Sequence, residues 1–199
     1  AIDYLEQIID KDPLDGHSHF LLAEKIVTAD QFDKKRLLLE IAVSLMPNDS
    51  APLLLLGEHL LIGEKTMPDG SITEKPNYSE AEKNLISALE INPKLEKAFF
   101  LRGKIKLLTG KSKEARNYFS KCTEDHELVH LANIEMGDEL MNGNHFKEAK
   151  SYFKKAKEVK KNKNYPYFKL GLVCMEDNEF SEARSLFETS QRFAEEELT

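Results

Sequence analysis

The sequence predicts an all-α protein built as a solenoid of tandem helix–turn–helix units. Two observations predict this fold: apolar residues recur at helical spacing, and one order of small and large apolar residues returns at a fixed interval. Gly137 is followed twelve positions later by Ala149, and then by Phe153 and Ala156, with Lys and Glu on the other faces. One helix pair cannot bury its apolar face alone, so we expect the units to stack into a superhelix.

The interval of the pattern is 34 residues. Steps of that length from Ala149, Phe153 and Gly137 lead to residues of the same type in both directions: Ala115 and Ala183, Phe119 and Phe187, Gly103 and Gly171. Three units with identical spacing therefore occupy residues 96–129, 130–163 and 164–197.

The first half of the chain follows the same pattern with one interruption. Ala81 lies twenty-four positions after Gly57 rather than twelve, so the unit at 50–95 carries an insertion, which we place at 65–76. A further unit occupies 16–49, and residues 1–15 correspond to the second half of a truncated repeat. We expect residues 1–199 to form a single array, and the truncated start suggests a piece of a longer chain.

These residues resemble the tetratricopeptide repeat, in which a large residue, Leu-Gly, an aromatic, Ala, Phe and a closing Pro recur in each 34-residue unit. The last unit and the second unit carry the resemblance: Tyr167, Leu170, Gly171, Cys174, Ala183 and Phe187, and Leu53, Leu56, Gly57, Leu60, Ala81, Leu85, Ala88 and Pro93. It covers essentially the whole chain and implies a right-handed superhelix. The departures are the absence of Trp and the charged residues Lys35, Arg102 and Lys106 at small or apolar positions.

Composition narrows the function classes. The net charge of −7 argues against general nucleic-acid binding. The chain contains no run of 18 apolar residues, so we expect no membrane span. Cys122 and Cys174 fall at positions expected to be buried, and two such cysteines suit a reducing compartment. We therefore expect a cytoplasmic location, although Ala1 in place of Met leaves open the removal of a targeting segment.

Motifs for catalysis, metals and cofactors are weak. The segment LLTGKS at 107–112 imitates a phosphate-binding loop, but Ile105 stands where that motif needs Gly. His126 and His130 have a metal-compatible spacing, yet we expect them to be solvated residues at a junction between repeats. His17 and His19 point to different faces of a helix. We therefore predict no enzyme, no metal and no cofactor.

The first helix of each unit is expected to line a concave groove that binds a partner peptide. Its predicted lining is apolar, aromatic and Met-containing, with acids that would select basic partner residues, and comprises Phe20, Glu24, Leu54, Glu58, Leu61, Phe100, Lys104, Ile134, Asp138, Met141, Phe168 and Met175. The alternative is that several of these side chains simply pack between helices. Only Lys97 fits the Lys/Asn/Lys/Arg set of tetratricopeptide domains that hold chaperone carboxylates. An extended or helical peptide with apolar anchors fits better.

Two further segments are candidates for interaction. The insertion KTMPDGSITEKP contains a turn signal and offers Met67, Asp69, Gly70 and Ile72 as contact residues, or it is a tolerated surface loop. Residues 147–163 hold eight Lys and two Glu, a net charge of +6. They form either a solvated face or a contact for an acidic protein or membrane surface.

The function predicted from sequence is a non-enzymatic scaffold or adaptor whose partner is another protein or a peptide segment. One alternative is a chaperone for a secretion or assembly client. Another is a homo-oligomerising structural module, joined through the ends of the array and the insertion.

Overall fold

The computed structural model describes residues 1–28, 31–62 and 76–196, which form eleven α-helices and no strand. The helices are α1 (Ile2–Lys11), α2 (Gly16–Lys25), α3 (Phe32–Leu45), α4 (Ser50–Ile62), α5 (Tyr78–Ile91), α6 (Glu96–Leu108), α7 (Ser112–Phe119), α8 (His126–Asn142), α9 (Phe146–Val159), α10 (Asn164–Glu176) and α11 (Phe180–Glu196). The predicted all-α fold of helix–turn–helix units is confirmed. None of the described helices combines the length and apolar character needed to cross a lipid bilayer.

The chain divides into two compact units, Ala1–Ile105 and Lys106–Thr199. In the first unit α2 pairs with α3 and α4 with α5, while α1 packs on α2 and α3 on α4. In the second unit α8 pairs with α9 and α10 with α11, while α7 packs on α8 and α9 on α10. These helices therefore pack mainly against their neighbours in sequence, as expected of stacked repeats.

The recurring Gly and Phe lie in close contact within the α8–α9 hairpin and within the α10–α11 hairpin. A Cβ atom on Gly137 would lie 2.5 Å from Phe153 Cε1, and one on Gly171 would lie 2.5 Å from Phe187 Cε1. Phe153 is fully buried beside Leu140, Leu170 and Val173. The repeat needs Gly because the Phe ring of the second helix occupies the space that a side chain on the first helix would fill.

A left-handed residue closes the turn between the paired helices. Gly110, Asn144 and Asn178 have φ values of 74°, 59° and 60°, and they stand one repeat length apart. Gly and Asn are the residues that adopt this conformation most readily. At the turn between α8 and α9 the left-handed residue is Asn144 rather than the preceding Gly143, which has a φ of −83°.

The charged residues at small or apolar repeat positions have local partners. Lys35 Nζ donates to the Ile26 carbonyl at 3.0 Å, and Arg102 pairs with Glu82 at 3.2 Å. Lys106 Nζ lies 3.6 Å from Glu114. These contacts explain how degenerate units keep the repeat geometry without burying an uncompensated charge.

The expected solvated histidine pair at a repeat junction is wrong for His130. Both His126 and His130 lie on α8, but His130 is buried and its Nδ1 is 2.9 Å from the Ala156 carbonyl oxygen. Helix α8 begins at His126, four residues before the predicted start of the unit at residue 130, so His130 lies within the helix. The Ala156 carbonyl of α9 holds its ring in place. Cys122 and Cys174 are buried as expected.

The predicted interaction loop falls largely outside the described residues. Of the insertion 65–76, the structure describes only Pro76, so Met67, Asp69, Gly70 and Ile72 lie outside the described part of the chain.

Candidate protein-binding surface

Helix α10 carries a row of partly exposed apolar side chains. Tyr165, Phe168, Leu172 and Met175 follow one another at spacings of three and four residues, which places them on one face of the helix. Phe168 and Met175 are each 44% exposed. Large apolar side chains at this exposure, aligned along one helix, form a continuous contact surface rather than isolated surface residues.

A matching row lies on α8. Ile134, Asp138 and Met141 share one face of that helix and are partly buried. Met141 also packs against the core that contains Phe153. We define the α8–α10 stripe as the two rows together with Lys169, which contacts a residue of each. Its members are Ile134, Asp138, Met141, Tyr165, Phe168, Lys169, Leu172 and Met175.

A polar cluster joins the two rows. The Tyr165 hydroxyl donates to Asp138 Oδ2 at 2.8 Å, and Lys169 Nζ lies 2.8 Å from Asp138 Oδ1. The Lys169 ammonium also lies 5.1 Å from the Tyr165 ring centroid. Burial alone would lower the pKa of Lys169, but its contacts with Asp138 and Tyr165 outweigh burial and raise that pKa above its ordinary value. Burial is the largest cause that raises the pKa of Tyr165.

The cluster changes the role expected for Asp138. Sequence reasoning makes this acid a selector of basic partner residues, whereas its carboxylate is already held by Lys169 and Tyr165 of the next hairpin. Its negative charge is therefore compensated inside the protein, and the cluster fixes the spacing of α8 and α10.

The same arrangement recurs in the first unit. Glu58 follows Gly57 as Asp138 follows Gly137, and Glu58 is 2.7 Å from Lys97 Nζ. Lys97 and Tyr165 each stand six residues before the glycine of the next repeat. In both units the acid that follows the repeat glycine thus contacts the first helix of the next repeat. The negative charge of Glu58 is therefore compensated by Lys97, as that of Asp138 is by Lys169.

The other residues predicted to line the groove differ in how far they are exposed to solvent. Phe20 and Leu54 are partly buried, and Glu24 is exposed. Phe100 and Leu61 are only 7% and 8% exposed, so they offer a ligand little surface, and their role as peptide anchors stays a prediction. Phe100 lies in the buried core of its unit with Lys104 Nζ 5.9 Å from its ring centroid.

Sequence reasoning missed Tyr165 and Lys169. Helical spacing could have placed Tyr165 on the face of Phe168, three residues on, and Lys169 beside Tyr165, four residues on. Their contact with Asp138 joins two different hairpins and carries no local sequence signal.

Comparisons with known proteins agree with the repeat assignment. A family model described as Tetratricopeptide repeat matches residues 96–124 and 132–163. No curated protein matches the sequence significantly.

Solved structures share the fold at low sequence identity. The chain is similar to YrrB, a TPR protein with an unusual peptide-binding site, at 16% identity over 97% of this chain and 93% of that chain, with a TM-score of 0.65. It is similar to PilF of Pseudomonas aeruginosa at 13% identity over 89% and 76%, with a TM-score of 0.73. MamA from Desulfovibrio magneticus RS-1 gives 14% identity over 91% and 96%, with a TM-score of 0.68.

The matched repeats, the Gly–Phe contact in successive hairpins and the shared architecture lead to one assignment. Residues 96–124 and 132–163 are tetratricopeptide repeats, and the chain shares the fold of solved tetratricopeptide repeat proteins.

Proposed function

We propose that this protein is a non-catalytic adaptor that holds a segment of a partner protein on the α8–α10 stripe. The observation that carries the proposal is the partly exposed apolar row of α10, with Phe168 and Met175 each 44% exposed, which Asp138 of α8 joins to the first helix of the preceding hairpin. Burying such side chains under a partner removes apolar surface from water, which is the main driving force of association.

The distance between Phe168 and Met175 determines the spacing of the apolar residues that a ligand needs. Phe168 and Met175 are seven residues apart, which is about 10 Å along a helix axis. A helical ligand would contact both Phe168 and Met175 with apolar residues that lie two helical turns apart. An extended ligand would contact them with apolar residues about three positions apart. Flexible Met side chains adapt to differently shaped anchors, so the stripe suits either form.

Charge contributes less to this recognition than apolar contact. The Asp138–Lys169–Tyr165 cluster is internally compensated, so it offers a partner hydrogen bonds rather than an unbalanced charge. We therefore infer that the stripe selects ligands by the spacing of their apolar anchors and not by a basic sequence.

Replacing Phe168 by Ala is expected to weaken binding of an apolar peptide by about tenfold or more, since truncating a central aromatic anchor costs about 2 kcal/mol. The ligand for this measurement comes from a displayed random-peptide library selected on the wild-type protein. Fluorescence anisotropy of the selected peptides then gives the dissociation constants.

Phe180→Ala is the matched control, because Phe180 is an exposed Phe on α11, outside the stripe. It should bind the selected peptides as the wild type does. Thermal unfolding of both variants checks that neither loses its fold. Peptides that bind folded Phe168→Ala as tightly as the wild type would contradict the proposed surface.

A further inference from the structure

A second concave site lies on the other side of α8. It is a cavity of about 200 Å³ between the end of α7, the middle of α8 and α9. Phe119, Ala132 and Met136 contribute an apolar floor, and Cys122 also lines it. This volume is comparable to that of one large apolar side chain.

The cavity is separate from the α8–α10 stripe. An α-helix turns about 100° per residue, so Ala132 and Met136 face away from Ile134 and Asp138. A ligand in the cavity therefore contacts neither Phe168 nor Met175, and the two sites can be tested independently.

Two cations stand at the mouth of the cavity. Arg116 Cζ lies 5.8 Å and Lys155 Nζ 5.2 Å from the ring centroid of Tyr152, which also lines the cavity. Arg116 is 3.6 Å from Glu148, but both side chains of this pair are more than half exposed, so the pair contributes little. The Tyr152 ring positions both cations beside an apolar hollow.

Helix α9, which forms one wall of the cavity, carries a charge of the opposite sign to that of the whole protein. Helix α9 holds five Lys and two Glu, while the chain carries a net charge of −7. The charged residues that line the cavity are Arg116 and Lys155, so an acidic ligand is attracted to its lining although the protein as a whole is negative.

We propose that this cavity is a second protein-binding site, which takes one apolar side chain from an acidic segment of a partner. The apolar residue enters over Ala132 and Met136, and carboxylates on either side of it meet Arg116 and Lys155. The apolar floor favours a protein segment over a nucleic acid or a lipid headgroup, because neither of those needs a hollow for a single apolar side chain.

Cys122 provides a direct reporter of occupancy. Cys122 lines the cavity and is 5% exposed, whereas Cys174 lies on α10 and is 0% exposed. Burial raises the pKa of the Cys174 thiol, which slows its alkylation further. Mass spectrometry of the labelled peptides distinguishes the two thiols.

The test uses three acidic peptides that carry Leu, Phe or Met at the centre, with Asp and Glu on both sides. At least one is expected to slow iodoacetamide labelling of Cys122, while a peptide with Ser at the centre is not. Lys155→Glu should weaken binding by about fivefold, and the double variant Arg116→Glu with Lys155→Glu by about tenfold or more.

Lys147→Glu is the matched control. It makes the same charge change on α9 eight residues away, about 12 Å along the axis and beyond the Debye length of about 8 Å. It should bind the peptides within about twofold of the wild type. Phe168→Ala should also bind them normally, so failure of the proposed function leaves this test intact.

Several results would overturn the proposal. They are a lack of binding by all three peptides, equal binding of the Ser peptide, and equal losses in Lys147→Glu and Lys155→Glu. Tighter binding of a single-stranded DNA oligonucleotide, or of vesicles of phosphatidylglycerol and phosphatidylcholine in equal parts, would also overturn it.

Discussion

Replacing Phe153 by Ala is expected to lower the free energy of unfolding by about 3–5 kcal/mol. Phe153 is 0% exposed and lies in a core with Leu140, Leu170 and Val173, so the substitution removes apolar burial and leaves a cavity. Because the ring contacts both its own hairpin and the next one, the loss weakens repeat stacking as well. Urea unfolding followed by circular dichroism measures the change.

Phe180→Ala is the control for this prediction. Phe180 is 57% exposed, so its truncation should cost less than about 1 kcal/mol. A loss for Phe153→Ala no larger than that of the control would contradict the assigned packing.

Gly137 is expected to be coupled to Phe153. Gly137→Ala places a methyl group against the Phe153 ring and should cost about 1–3 kcal/mol. In a Phe153→Leu background the same substitution should cost less, because the smaller side chain yields space. Additive losses would show that the two residues do not share this space.

Lowering the pH from 7 to 4.5 is expected to destabilise the wild type by about 2.5 kcal/mol more than His59→Leu. His59 is buried and stacks on Phe32 with ring centroids 3.8 Å apart, and its Nε2 has no hydrogen-bond partner among the described residues. Burial, followed by the nearby charge of Lys35, lowers the pKa of His59 to about 4 from an ordinary 6.5.

The sign of this pH effect on stability depends on whether the folded or the unfolded state binds the proton at His59. Between pH 6.5 and pH 4 the unfolded chain protonates His59 while the folded protein keeps it neutral, so stability falls as the pH falls through this range. The leucine side chain of the variant cannot titrate. Because the change in the free energy of unfolding between the two pH values is compared, any pH-independent cost of losing the imidazole cancels. Urea unfolding at both pH values gives the two changes, and equal changes would contradict a buried neutral His59.

The repeat architecture could be predicted because it is encoded at a fixed interval. Gly137 and Gly171 are each followed at the same distance by a Phe partner, Phe153 and Phe187, and the structure brings each pair into contact. The left-handed turn position recurs with the same interval as these pairs. Periodic patterns of this kind express contacts between residues close in sequence, which is why they are readable without a structure.

The candidate site was less predictable because exposure depends on tertiary packing. Phe100 and Phe168 occupy equivalent repeat positions, yet Phe100 is buried and Phe168 is partly exposed. The partners of Asp138 lie on the next hairpin, beyond the reach of helical spacing. The cavity beside Tyr152 joins three helices, and no single motif in the sequence indicates it.

Methyl NMR of methionine tests the central claim most directly. Met141 and Met175 lie on the α8–α10 stripe, Met136 lines the cavity, and Met46 lies in the first unit. A library-selected apolar peptide added to protein labelled at the methionine methyl groups should shift the Met141 and Met175 signals and leave those of Met46 and Met136 in place. Shifts at Met46 or Met136, with Met141 and Met175 unchanged, would contradict partner binding on the stripe.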